Sequence, residues 1–287
     1  MLTVLFLIGC GPNPAKDLIK KANQVFKPLP TVMPGFEKVT QAQISLGDKL
    51  YNDVRLSVND TQSCNTCHLL GDKKGGVDNL AFSPGALPGT KGDRNAPTVL
   101  NAGLHFVQFW DGRAKDLQEQ AKGPILNPVE MGMPSEAAVV KKIGAIDEYK
   151  NLFKEAFPNA KEPITYDTIT EAIAAFESTL ITKDRFDDFL KGDTSALNEA
   201  EQKGLETFIR VGRFNETKDI KDKQFFKVPS LRNIVLTGPY FHNGSVDTLE
   251  SAVKQMAHLQ LNRELTDEEI SSIVSFLHSL TDKSRAQ

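Results

Sequence analysis

Cys64-Asn65-Thr66-Cys67-His68 is the stretch around which this chain is organised. Two cysteines separated by two residues, with a histidine directly after, form the attachment signature of a c-type haem. Chemistry explains the spacing. The two thiols add across the porphyrin vinyl groups, and the adjacent imidazole reaches the iron from one face. Two other readings compete for the same five residues. A structural zinc knuckle needs about four ligands, and the chain has three cysteines in all, with no second pair. A redox CxxC sits at the start of a helix in a βαβ pattern, which is absent from this sequence. The motif is therefore read as a haem site.

The chain has 287 residues, 40% of them hydrophobic, enough for one large domain or two small ones with real cores. A formal net charge of −3 gives no mark of a nucleic-acid binder. No apolar run is long enough to span a membrane. The first ten residues are apolar and end Leu7-Ile8-Gly9-Cys10. This matches the end of a secretory segment followed by a bacterial lipoprotein processing site. Cleavage before Cys10 would leave a cysteine to carry lipid, an anchor rather than a span. No Lys or Arg precedes the apolar run, so an ordinary cleaved signal peptide or a misplaced start is the alternative. Export to the periplasm suits the haem motif, since attachment to CxxCH belongs outside the bacterial cytoplasm. With lipid on Cys10 and haem on Cys64 and Cys67, no thiol is left for a disulfide.

Residues 11–38 are rich in Pro and Lys and read as a tether. Ile44, Leu46, Leu50 and Tyr51 mark a short helix over residues 41–52, leading to the haem motif. Residues 71–95 hold many Gly, Pro, Asp and Lys and read as a long irregular loop. Ser135 is an N-cap ahead of Val139, Val140 and Ile143 at helical spacing. Residues 167–182 place Ile169, Ile173, Phe176 and Leu180 on one face, and residues 197–209 form a further helix. Asp247 with Glu250, and Thr266 with Glu269, read as capping boxes. The first opens a helix with Leu249, Val253 and Met256 on one stripe. The second opens a helix burying Ile270, Ile273, Val274, Leu277 and Leu280. Strand signals are sparse and no internal repeat is legible. The expected fold is mainly α, with long haem-wrapping loops.

Five further blocks follow the haem motif. They are Arg94-Asn95-Ala96-Pro97-Thr98-Val99-Leu100-Asn101-Ala102, Gln108-Phe109-Trp110-Asp111-Gly112-Arg113, and Gln120-Ala121-Lys122-Gly123-Pro124 with Asn127-Pro128-Val129-Glu130-Met131-Gly132. Later come Phe226-Lys227-Val228-Pro229-Ser230-Leu231-Arg232-Asn233 and Thr237-Gly238-Pro239-Tyr240-Phe241-His242-Asn243-Gly244. In this order, from about residue 40 to about residue 282, the chain resembles the bacterial dihaem cytochrome c peroxidase family, which includes the MauG-like proteins. The resemblance implies two cytochrome-c-like domains. Residues 39–187 would be the peroxidatic haem domain and residues 188–287 the second, truncated domain, after a signal segment (1–10) and the tether. It implies His68 as proximal ligand and Gln120 and Glu130 as the distal-side pair. Trp110, the only tryptophan, would stand between the haems, and Arg113 is counted with Cys64, Cys67 and His68 among the cofactor-binding residues. Asn95, Thr237 and Pro239 match the residues that hold a calcium ion at the domain junction, and Met256 matches the distal ligand of the second haem.

Elementary chemistry supports the distal assignment. Peroxide cleavage needs an open iron position and a group that takes a proton from the near oxygen and returns it to the departing one. A carboxylate in a largely apolar pocket has a raised pKa suited to this. Glu130 is the candidate, with Gln120 orienting peroxide or water. Without the surrounding motif, Glu130 would read as a solvated loop residue, and Trp110 and Met256 as core filler.

Two departures from the family pattern stand out. Many members carry a histidine in the loop before Asn95 that caps the peroxidatic iron. Here that loop is Phe82-Ser83-Pro84-Gly85-Ala86-Leu87-Pro88-Gly89, and no histidine lies between His68 and His105. A permanently open, five-coordinate iron is expected. The family also has a second CxxCH ahead of the Phe226 block, whereas no cysteine follows Cys67. One covalent haem is expected, and His242 and His258 are the weak candidates for holding a noncovalent one. Met256 then becomes a core residue or a ligand without a metal.

The leading functional reading is a periplasmic, lipid-anchored haem c peroxidase. It would reduce hydrogen peroxide with electrons from a small cytochrome c or a copper protein. A single-haem electron carrier would need a sixth ligand, with Met131 and Met133 the nearest candidates. A sensor or structural remnant would bind haem without turnover, and a MauG-like oxidase would act on a protein substrate. Calcium at Asn95, Thr237 and Pro239 would need water to complete its oxygen shell; otherwise these residues only shape a turn. No nucleic acid is expected, membrane contact runs only through lipid on Cys10, and a homodimer is compatible with the resemblance.

Overall fold

The computed structural model describes residues 13–71, 74–212 and 229–285. The signal segment with Cys10 and residues 226–228 of the family block lie outside the described residues. Among those described, the chain is helical, and extended pairing is confined to isolated bridges. Capping residues set the helix starts. α2 (Gln41–Tyr51) opens on a reciprocal cap in which Gln43 N donates to Thr40 Oγ1 at 3.2 Å and Thr40 N donates to Gln43 Oε1 at 2.9 Å. α11 (Asp267–Ser279) opens the same way on Thr266 and Glu269. Ser135 caps α5 (Glu136–Gly144), accepting from Ala138 N at 3.2 Å.

Two expectations are corrected. α10 (Leu249–Leu261) is capped one residue later than the Asp247–Glu250 reading, because Ser251 N donates to Thr248 Oγ1 at 3.2 Å. Thr248 is the last extended residue, so its side chain stands over the first free N–H groups. The tether reading fails over Pro14–Val25, which form helix α1 with Asn13 as cap and Pro14 at its first position. Leu18 and Ala22, one turn apart, are buried, while Lys16 and Lys20 stay exposed. An apolar stripe hidden among lysines gives this segment something to bury. The strap continues inward, for Leu29 N donates to Asp187 Oδ1 at 3.1 Å and Met33 is 1% exposed.

Two hydrophobic cores form. The first is built on α2, α5, α4 (Leu117–Leu126), α6 (Asp147–Ala156) and α7 (Tyr166–Glu177). The second gathers α1, α8 (Arg185–Leu190), α9 (Glu199–Gly212), α10 and α11. α1 therefore belongs with the second unit although it opens the chain.

The two units repeat one another. In the first, α2 crosses α7 so closely that a Cβ on Gly47 would fall 1.8 Å from Ala172 O and 2.8 Å from Phe176 Cβ. In the second, α9 crosses α11 likewise: a Cβ on Gly204 would fall 1.9 Å from Ser272 O and 2.8 Å from Phe276 Cβ. One turn on, Tyr51 packs on Phe176 at 5.1 Å and Phe208 on Phe276 at 5.5 Å between ring centroids. Asn101 and Asn233 both take left-handed backbone, φ 60° and 61°. Asn101 N donates to Leu180 O at 2.8 Å and Asn101 Oδ1 accepts Thr182 N at 2.9 Å. Asn233 N donates to Leu280 O at 3.0 Å and Asn233 Oδ1 accepts Asp282 N at 2.8 Å. The duplication that the sequence hides is thus carried by backbone geometry. Between Tyr51 and Asn101 the first unit has residues 52–100, with the haem motif, and between Phe208 and Asn233 the second has only residues 209–232.

Candidate functional site

Cys64–Cys67 form one helical turn, α3. Ser63 N donates to Thr66 Oγ1 at 2.9 Å at its start, and His68 N donates to Cys64 O at 2.9 Å at its end. The turn carries both cysteines, and His68 follows directly as its C-terminal cap. Two clamps hold it: Tyr51 Oη donates to His68 O at 2.7 Å, and Leu70 N donates to Asn65 Oδ1 at 3.0 Å. Both cysteines are free thiols. Burial pushes the Cys64 thiol far up, with Glu177 the next cause. Burial raises Cys67 to about 11, against a hydrogen bond from Ser83.

The His68 imidazole is held below its ordinary pKa by burial, which the nearby carbonyls of Gly76 and Pro97 partly oppose. It is therefore neutral at neutral pH, the form that binds metal. Its Nδ1 is buried and makes no hydrogen bond. An orphaned ring nitrogen beside two reduced thiols on one turn fits what covalent haem asks of a protein.

Glu130 lies in a tight turn where Glu130 N and Gly132 N both donate to Asn127 O, at 3.0 and 2.9 Å. Gly132 has φ +69°, a conformation that favours glycine. Burial raises the Glu130 carboxyl, against Asn127 and Arg113, which lower it. Its charge reaches Cys67, where it helps raise the thiol. The loop that lacks a histidine is pinned to this turn: Ala86 N donates to Glu130 O at 2.6 Å. Gln120 is half-buried on α4, whose Pro124 O accepts Met131 N at 3.2 Å. α4 and the Glu130 turn are thus one piece, although the two side chains make no hydrogen bond with each other. Arg113 stacks on the Phe109 ring at 3.5 Å and pairs with Asp111 at 2.9 Å.

Trp110 stands at the seam between the units. Its Nε1 donates to Asn95 O at 2.8 Å, and its ring meets His242 edge-on at 6.4 Å. Asn95 N donates to His242 O at 2.7 Å, and Asn95 Nδ2 to Leu80 O at 2.7 Å. His242 is the counterpart of Trp110 in the repeat, each following a phenylalanine with positive φ, Phe109 at 65° and Phe241 at 70°. Across from Asn95, Asn79 Nδ2 donates to Leu236 O at 2.9 Å and Gly238 O at 2.7 Å, bracketing Thr237. The three residues expected at a calcium site, Asn95, Thr237 and Pro239, therefore lie on segments joined at this seam. Met256 is half-buried and belongs to neither core, so the expectation that it becomes core is not met. His258, exposed, pairs with Glu264 at 2.7 Å.

Sequence reading missed Asn79, the seam role of His242, and Glu177. Glu177 carried a signal, since an acid falls on the face that Ile173 and Leu180 mark as apolar.

Residues 41–195 match the di-haem cytochrome c peroxidase family. The chain is 41% identical to cytochrome c551 peroxidase of Pseudomonas aeruginosa over 94% of its own length and 88% of the relative's. It is 41% identical to cytochrome c551 peroxidase of Nitrosomonas europaea, over 98% and 91%. Among solved structures, a MauG-like protein associated with microbial copper homeostasis superposes with a TM-score of 0.77 at 29% identity, covering 91% of this chain and 96% of that one. The Pseudomonas alignment runs over 308 positions while this chain has 287 residues, so the relative carries residues within the match that this chain lacks. That shortfall agrees with the contracted stretch in the second unit. The haem turn, the paired helical units and the extent of these matches place the chain in the di-haem cytochrome c peroxidase family.

Proposed function

We propose that the chain is an exported haem c peroxidase that reduces hydrogen peroxide to water with electrons from a small cytochrome or copper protein. The observation that carries this reading is the neutral, half-buried His68, its Nδ1 hidden from solvent, next to two free thiols, with the raised carboxyl of Glu130 in electrostatic reach of Cys67. Cys64 and Cys67 would hold the porphyrin and His68 the iron; the bound haem supplies the redox chemistry. Glu130 takes the proton of the near peroxide oxygen and returns it to the departing one. Gln120 orients peroxide or water. Trp110, joined to both units, offers an inward route for electrons.

The chain attaches one haem covalently, since no cysteine follows Cys67. Reducing equivalents then reach that haem directly or through side chains. The loop at residues 82–89 contributes no histidine, so no imidazole from it would compete with peroxide for the haem. Asn95, Thr237 and Pro239 would hold a calcium ion through oxygen atoms, the donor type that ion takes. Lipid on Cys10 anchors the protein in the periplasm.

Mass spectrometry of the exported protein tests the count, with one haem and a lipid on Cys10 expected. Addition of peroxide under a spectrophotometer tests the chemistry. A high-spin ferric resting spectrum that responds to peroxide is expected; a low-spin, unreactive haem would refute the peroxidase.

A further inference from the structure

We propose that Glu177 is the charge-compensating group of this haem site, taking up a proton when the iron gains an electron and releasing it when the electron leaves. The inference rests on the haem reading above. Glu177 ends α7, is 6% exposed, and has an Oε2 that is buried without a hydrogen-bond partner. A buried carboxyl without a partner is costly, and such a residue calls for a reason beyond packing.

The repeat supplies an internal control. Ala172, Phe176, Leu180 and Thr182 correspond to Ser272, Phe276, Leu280 and Asp282, so the counterpart of Glu177 is Leu277, an apolar core residue 2% exposed. The fold itself is content with leucine there. The acid occurs in the unit that carries the haem motif.

The surroundings fit. The helix packed against Glu177 offers Tyr51, whose hydroxyl proton is committed to His68 O at 2.7 Å. The haem turn offers Cys64, the thiol on which Glu177 acts most strongly after burial. Cys64 becomes a thioether on attachment and no longer titrates. Burial raises Glu177 to about 8, and no positive group opposes this. An added electron at the iron favours the protonated acid and its removal the carboxylate. The step balances: ferric iron, one electron from the reduced carrier, one solvent proton and the Glu177 carboxylate give ferrous iron and the neutral acid.

The test is the midpoint potential of the haem-loaded protein, measured from one pH unit below to one above the Glu177 value. The potential should fall with rising pH, approaching about 59 mV per unit for one proton per electron. Glu177→Gln and Glu177→Leu, the latter the residue of the other unit, should flatten it. A wild-type potential independent of pH in this window would overturn the inference without any variant. So would an unchanged slope in either haem-loaded variant. Wild-type protein that binds no haem would instead sink the haem reading, and this inference with it.

Discussion

Glu130 and Glu177 are both carboxyls raised by burial, yet they answer different demands. Glu130 must accept a proton from peroxide, so it works ionised. Because its pKa is raised, the acid limb of the peroxide-reduction profile should lie above the ordinary carboxylate range, with kcat/KM falling as pH drops through it. Glu130→Gln keeps the shape and removes the base, and should lower kcat by about a hundredfold to ten-thousandfold. Steady-state kinetics with KM and the haem spectrum followed in parallel checks this; wild-type kcat in a haem-loaded variant would remove Glu130 from the chemistry. The Cys64, Cys67 and His68 turn was legible because its chemistry is written in adjacent residues. Glu130 was legible only through the motif around it. Glu177 left only a faint trace, an acid on the apolar face that Ile173 and Leu180 mark, because its leucine counterpart becomes visible only once the two units are superposed.

At the scale of elements, helix starts were readable where a side-chain oxygen faces a defined N–H, as at Ser135 and Thr266. They slipped at Asp247–Thr248, where two capping residues adjoin. α1 was missed because its apolar residues are few and its lysines many; only the groove offered by α8 and α9 makes Leu18 and Ala22 a face. The two crossings built on Gly47 and Gly204 were invisible, because a glycine in a helix reads as a weak position rather than a close approach. A Cβ at either meets a backbone carbonyl, which cannot swing aside as a side-chain tip can. Gly47→Ala and Gly204→Ala should each destabilise the protein by about 1–3 kcal/mol or more. Gly47→Ala should also disturb Tyr51 and so the haem turn, whereas Gly204→Ala should leave the haem spectrum unchanged. Denaturant unfolding with the haem absorbance as a second probe separates the two.

The whole molecule is a duplicated frame carrying an unduplicated site. The duplication was illegible in sequence because the spacing of counterparts shrinks along the chain, from Gly47 and Gly204 through Asn101 and Asn233 to Phe176 and Phe276, leaving no fixed period. What persists is left-handed asparagine backbone, a glycine under a carbonyl and a tilted aromatic pair, each satisfied by several sequences. The frame has a consequence for regulation. In a two-haem relay, the state of one haem can govern access to the other, provided a loop ligand moves. Here residues 82–89 offer no such ligand, and Ala86 is tied to the Glu130 turn at 2.6 Å. The protein as isolated should therefore react with peroxide at its full rate without prior reduction. Stopped-flow mixing of the oxidised protein with peroxide, with and without pre-reduction by one electron, measures this directly. A marked acceleration on pre-reduction would mean that a ligand does leave the iron. His105, on the segment that leads to Trp110, would then be the first residue to replace, because it is the next histidine after His68 in the chain.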